Sequence, residues 1–216
     1  GFAALASLFI TEVRPKKQRH FRPDEFREIL QQTIQNKHFL MFLVGVAFLS
    51  ETHQTITVFL NQVRYEQCGL SPSQIGYIYI AVTLAGLFGS CSSWVTKKLG
   101  DKHSSTLFYA ASISACFLLA VTGKACFSVG SILLLRVTNS LFQPFQMELQ
   151  NKQIKTENRA TALSINAMVI DSVGAGTNLI FGYLADFSLN SAFLFGAGLC
   201  FCGLCLFFAR SSSLSC

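Results

Sequence analysis

Four ionisable residues sit inside runs that otherwise read as hydrocarbon. Glu51 and His53 lie in HFLMFLVGVAFLSETHQTITVFL, Arg136 in ACFSVGSILLLRVTNSLFQPF, and Asp171 in NAMVIDSVGAGTNLIFGYLAD. A carboxyl group in such a run can take up and release a proton, because desolvation favours its neutral form and water or a cation favours the charged one. A guanidinium can pair with a carboxylate in the same surroundings. Polar residues accompany all four at helical spacing. Ser50, Gln54, Thr57 and Asn61 share one helix face, with His53 on one flank and Glu51 on the other. Arg136, Asn139, Ser140, Gln143 and Gln150 fall on a face opposite Leu134, Val137, Leu141 and Phe145.

The elements that must carry these residues follow from composition. Of 216 residues 51% are apolar, 13% are charged and 21 are phenylalanine, far from the quarter or so of charged residues in a soluble domain. A helix crossing about 30 Å of hydrocarbon needs about 20 mostly apolar residues. Six runs satisfy this: Phe39 to Asn61, Gln74 to Thr96, Ser104 to Thr122, Ala125 to Leu149, Arg159 to Ala185 and Ser191 to Ala209. Counted along those helices, Glu51 and Asp171 lie roughly 18 Å from one membrane face and Arg136 roughly 16 Å from the other. All three therefore fall at mid-membrane, where an ionisable group is costly and is a functional candidate by default.

Lysine and arginine set the orientation, since they gather in short cytoplasmic loops. Of 17 basic residues, 14 lie in segment 13–38, in the loops after the second and fourth spans, and in the tail; Arg64 and Lys124 lie on the other side, and Arg136 is inside a span. The net charge of +6 is thereby explained by topology, without nucleic acid as a partner. GFAALASLFI at the start is too short to span and lacks a basic n-region. We expect residues 1–12 to be the end of a preceding transmembrane helix and 13–38 to be a cytoplasmic basic linker. Within that linker Phe26, Ile29, Leu30 and Ile34 repeat at helical spacing behind Pro23, Asp24 and Glu25, predicting an amphipathic helix at the membrane surface. Residues 39–209 then form a six-helix unit and 210–216 a cytoplasmic tail.

Two local motifs resemble the major facilitator superfamily. KKLGDKH at 97–103 is similar to that family's short basic loop, and RATALSINAMVIDSVGAGTNLIFGYLAD at 159–186 is similar to its eleventh helix, with an Arg-Ala start, a glycine-rich middle and a closing Gly-x-Leu-Ala-Asp. The resemblance covers essentially the whole chain. It implies an all-α membrane protein, a six-transmembrane-helix half-bundle running from the end of helix 6 through helix 12, which rocks against an N-terminal half around a central site. It further implies that the helices at 39–61 and 125–149 line the solute cavity, with Ser50, His53, Gln54, Thr57, Asn61, Asn139 and Gln143 on its wall. Glu51, Arg136 and Asp171 are then the candidates for charge coupling.

The expected function is secondary active transport of a small solute, coupled to protons, in the direction of export of amphipathic or drug-like compounds. Uptake by solute/proton symport, and a membrane sensor or scaffold that does not transport, are the alternatives. The partners are the lipid bilayer, a small-molecule solute, protons and the N-terminal half, with no cofactor, in a bacterial cytoplasmic membrane. Arg136 and Asp171 are expected to interact directly or through water; a purely structural ion pair is the other reading. Glu51 is either a proton carrier or a carboxylate in a wet vestibule, and His53 reads as a hydrogen-bonding wall residue. Pro144 frees a backbone carbonyl near Ser140. Ser164, Ala167, Asp171, Gly174, Ala175, Asn178 and Gly182 form a small and polar stripe suited to close helix packing. Of the eight cysteines, Cys200 and Cys202 point roughly 200° apart on a helix, which does not suit a metal site. Cys68 and Cys126 both fall near the outer surface.

The orientation is open to direct measurement. Single cysteines replacing Lys98 and Lys155 in a cysteine-free background should react with an impermeant maleimide only from the cytoplasmic side, and one replacing Lys124 only from outside. Labelling of positions 124 and 155 from the same face is incompatible with six spans.

Overall fold

A computed structural model describes residues 23–154 and 159–213. The expected helix end at 1–12, the basic stretch 13–22, Lys155 and the last three residues lie outside the described residues. Helix α1 (Pro23–Gln35) is followed by the first span, made of α2 (Lys37–Gln54), a π-helical turn (Thr55–Leu60) and α3 (Asn61–Gln67). Next come α4 (Pro72–Ala85), a 3-10 segment (Gly86–Cys91) and α5 (Ser92–Val121), then α6 (Ala125–Gln153), α7 (Arg159–Phe187) and α8 (Leu189–Ser213).

Five of these helical stretches are long and apolar enough to cross a membrane, one of them the 50-residue stretch Pro72–Val121. At 1.5 Å per residue that stretch would reach about 75 Å, more than twice a bilayer's hydrocarbon. It is two spans. Gly100 breaks it with φ 77° and ψ 162°, a conformation open only to a residue without Cβ. The described residues therefore pass six times: the second span ends at Gly100, the third is the rest of α5, and α6, α7 and α8 are the fourth, fifth and sixth.

The first reversal is equally local. Gly69 (φ 75°) follows the first span, and Leu70 N–H reaches back to the Tyr65 carbonyl at 3.2 Å, a Schellman closure. Ser71 then caps the second span. Its hydroxyl accepts from Gln74 N–H while the Gln74 side chain accepts from Ser71 N–H, with Pro72 at the first helical position. The first span runs on to Gln67, farther than apolarity alone suggests, because Arg64 has partners inside the bundle. Only 5% exposed, its guanidinium donates to Ser128 Oγ (3.2 Å), to Leu119 O (2.8 Å) and to Thr122 O, and lies over the Phe193 ring. Leu119 and Thr122 close the third span, where carbonyls lack helical donors. Arg64 therefore caps one helix from another.

Apolar area cannot drive helices together in lipid, so close packing must. The first and sixth spans meet at bare backbone: a Cβ on Gly45 would lie 3.3 Å from the Gly203 carbonyl oxygen, and one on Gly196 2.9 Å from Thr52 Cγ2. Tyr109 of the third span, buried, plugs the same crossing. The second and fourth spans approach similarly, with Gly89 beneath the Ser140 carbonyl. That carbonyl is the one Pro144 leaves without a helical donor. Ser92 Oγ donates to the adjacent Leu141 carbonyl at 2.6 Å.

A Cβ at Gly203 would come within 2.6 Å of Tyr109 Cε1, and a buried ring cannot swing aside. Gly203→Ala should destabilise the detergent-purified protein by about 1–3 kcal/mol, read as a lowered Tm. Adding Tyr109→Leu should recover part of the loss. A Gly203→Ala protein that melts like the parent shows that this crossing is loose.

Candidate functional site

The sequence-predicted residues separate into three groups. Glu51 is 8% exposed and reaches from the first span to the fifth. Its Oε2 accepts from Asn178 Nδ2 at 2.9 Å, and Asn178 Oδ1 accepts from Thr55 Oγ1 at 2.6 Å. The two bonds fix the Asn178 amide in one orientation. The carboxylate rests on Gly174, where a Cβ would sit 2.5 Å from Glu51 Cδ and 2.6 Å from Oε1; only glycine leaves the space. Asp171, three residues before Gly174, is exposed.

His53 turns the opposite way. Fully buried, it places Nε2 2.9 Å from Ser112 Oγ of the third span. The Ser112 hydroxyl also lies 2.8 Å from the Phe108 carbonyl, to which it can donate. Nδ1 is buried without a partner. Thr57 and Asn61 bond their own helix: Thr57 Oγ1 donates to the His53 carbonyl and Asn61 Nδ2 to the Thr57 carbonyl, each at 2.7 Å, with Tyr79 OH donating to Asn61 Oδ1 at 3.3 Å. These side chains serve carbonyls in and beside the widened π turn. Gln54 is exposed and Ser50 half-buried. Within the π turn the open face continues through Val58 and Phe59, 58% and 60% exposed.

On the fourth span the amides form a chain. Asn166 Nδ2 of the fifth span donates to Gln150 Oε1 (3.1 Å), Gln150 to Gln146, Gln146 Nε2 to Gln143 Oε1 (3.1 Å), and Gln143 Nε2 to Asn139 Oδ1 (3.3 Å). It runs from buried Asn166, Gln150 and Gln146 to exposed Gln143 and half-buried Asn139. Arg136 is not part of it. Its guanidinium packs over Gly86 of the second span, where a Cβ would meet Nη2 at 3.2 Å, and its Nε is buried without a partner. The structure does not bring Arg136 and Asp171 together; among the described residues no ion pair joins them. Ion pairing is instead found at the end of the fourth span, where Lys152 lies 2.9 Å from Glu148 and 3.6 Å from Asp101 of the basic loop. Cys68 and Cys126 are free thiols, and Cys68 Sγ lies 3.3 Å from the Gly123 carbonyl.

Sequence reasoning placed Asn178 in a packing stripe and did not single it out as a site residue. The available signal was its position seven residues after Asp171 and four after Gly174, on one face with both. Ser112 and Tyr79 carried no such signal, because their partners lie on other spans.

A helical bundle of six passes, with a carboxylate held between two spans and a row of amides on a third, is that of a polytopic membrane protein. The signature of the Major Facilitator Superfamily matches residues 1–177. The chain belongs to that family, whose members carry small-molecule solutes across membranes. No curated protein and no solved structure matches it.

The Gly174 platform gives a separable test. In Gly174→Ala the new methyl must displace a flexible carboxylate and not a packed ring, so stability should fall by no more than about 1 kcal/mol. The Glu51–Asn178 bond should break. Transport by Gly174→Ala and by Asn178→Leu should then shift alike in pH dependence; different pH profiles for the two would show that Gly174 does not act through Glu51.

Proposed function

We propose that residues 39–209 are the C-terminal six-span half of a proton-coupled secondary transporter, that the first and fourth spans line its cavity, and that Glu51 carries the coupling proton. One observation carries this reading: a mid-span carboxyl group, nearly buried, whose hydrogen-bond partner is a neutral amide on a different span. Asn178 can donate to a carboxylate or to the carbonyl oxygen of a carboxylic acid, so both states of Glu51 are tolerated. Protonation relieves the repulsion from Asp171, and movement of the first span against the fifth changes the distance over which that repulsion acts. The π turn that begins at Thr55 is a place for such movement, since π turns interrupt the helical bond pattern and cluster at functional sites.

The substrate is a small amphipathic compound moved in the direction of export. Gln54 beside Val58 and Phe59 on the open face supplies hydrogen bonding and apolar contact together, and Gln143 and Asn139 add amides from the fourth span. The membrane is the bacterial cytoplasmic membrane, with the linker and C-terminus on the cytoplasmic side, and the other half of the bundle completes the cavity. Arg136 is assigned to the contact between the second and fourth spans.

In vesicles containing the complete transporter, Glu51→Gln should bind solute but lose the response to an imposed pH gradient. Gln54→Ala should weaken solute binding about fivefold with the gradient response intact. Transport by Glu51→Gln with unchanged pH dependence would remove Glu51 from the coupling role and leave Asp171 as the candidate on this chain.

A further inference from the structure

Arg136 stands outside the Glu51 contact and the amide chain, yet it shares the polar face of the fourth span with Asn139 and Gln143, about one and two turns further on. The Arg64–Ser128 bond, 3.2 Å, sets the register between the first and fourth spans. Counted from that bond at 1.5 Å per residue, Val58 and Phe59 lie roughly 9 and 8 Å down the first span, and Arg136 roughly 12 Å down the fourth. Half-buried Arg136 and the apolar part of the open face therefore share a depth. The π turn that carries Val58 and Phe59 packs against the fourth span.

The groups that meet at this point are donors. A guanidinium offers five N–H bonds and stays charged; among the described residues none of the five enters a hydrogen bond or an ion pair. Asn139 accepts from Gln143 Nε2 on its Oδ1 at 3.3 Å, which leaves its NH2 to donate. The nearby hydroxyls serve their own helices, Ser140 Oγ donating to the Arg136 carbonyl and Thr83 Oγ1 to the Tyr79 carbonyl, each at 2.8 Å. A charge at mid-membrane faces a partner or water, and a fixed charge on a solute path gathers ions of the opposite sign. Among anionic groups a carboxylate matches the planar fork, because its two oxygens take two parallel N–H bonds.

We propose that the solute is an amphipathic organic anion whose carboxylate is held by Arg136 and Asn139 and whose apolar body lies against Val58 and Phe59. This rests on the reading that the first and fourth spans line one cavity, and it names the solute class. The probes are tritiated 1-naphthoate and tritiated 1-naphthamide, alike in shape and different in charge, on the complete transporter purified in detergent. No gradient is present, so the outcome is independent of proton coupling. Naphthoate should bind saturably and at least tenfold more tightly than naphthamide, and 1-naphthylmethylamine should not displace it. Arg136→Gln should weaken naphthoate about tenfold and leave naphthamide unchanged, and Asn139→Leu should weaken naphthoate about fivefold. Should Arg136→Gln fail to fold, Arg136→Lys decides: it keeps the charge without the fork and should weaken naphthoate about threefold with naphthamide unchanged. Three results overturn the proposal: no saturable naphthoate binding, displacement by the amine as effective as by naphthoate itself, or equal loss of naphthoate and naphthamide in the Arg136 variants, which is the mark of a structural role. Gln54→Ala separates this proposal from the cavity on which it rests. Naphthoate weakened by Arg136→Gln and not by Gln54→Ala upholds the anion site and overturns the shared cavity; the reverse pattern overturns the anion site alone.

Discussion

The rotation of the first span about its own axis decides what every functional side chain meets, and glycine sets that rotation. Gly45 faces Gly203 and Tyr109, while Thr52 and Ile56 meet Gly196, so one edge of the first span is pressed against the sixth at near-backbone distance. With that edge fixed, Glu51 points at the fifth span, His53 at the third and Gln54 at open surface, although the three lie within four residues. Substituting a larger residue at the crossing would turn all three together.

Satisfaction of polar groups follows the same logic. In hydrocarbon there is no water for a loose carbonyl or hydroxyl, so each must be met from within the protein. Arg64 closes the third span, Ser92 and Gly89 attend the carbonyls near Pro144, and Thr57 and Asn61 serve the π turn. Where this fails is informative. Thr52 Oγ1, His53 Nδ1 and Arg136 Nε are buried and unpartnered, and all three lie in the middle third of their spans, around the region assigned to the solute path. Tyr65 OH, Ser104 Oγ, Ser105 Oγ and Ser131 Oγ, nearer the span ends, are buried and unpartnered as well.

The fold was legible because hydrophobic run length and basic-residue placement are properties of single segments. Six spans, their order and the break near Gly100 follow from residues read a few at a time. The face assignments were less secure, for a definable reason. Ser50, Gln54, Thr57 and Asn61 share a face only if the helix keeps 3.6 residues per turn throughout. The π turn at Thr55–Leu60 inserts about one residue, rotating everything beyond it by roughly 100°. Asn61, beyond the turn, is buried and so is Thr57 within it, while Val58, four residues after exposed Gln54, stays outside with Phe59. Arg136 and Asp171 shared a membrane depth, which sequence can count, but not an azimuth, which depends on neighbours. Gly86 gave Arg136 a place on the second span that no pattern in either helix announced.

Arg136 facing away from the carboxylates bears directly on the coupling reading. A guanidinium beside Glu51 or Asp171 would hold its partner ionised, since breaking a buried pair costs several kcal/mol. Such a site would be rigid in charge. An amide partner imposes no charge state, and a glycine platform imposes no side-chain contact that changes on protonation. Glu51 therefore rests on an amide and a glycine, two residue types that accept it with or without its proton. If Glu51 carries the proton, the absence of a cation at this point of the fifth span is a requirement of the mechanism, and Asn178 is as much a part of the coupling apparatus as the glutamate it holds.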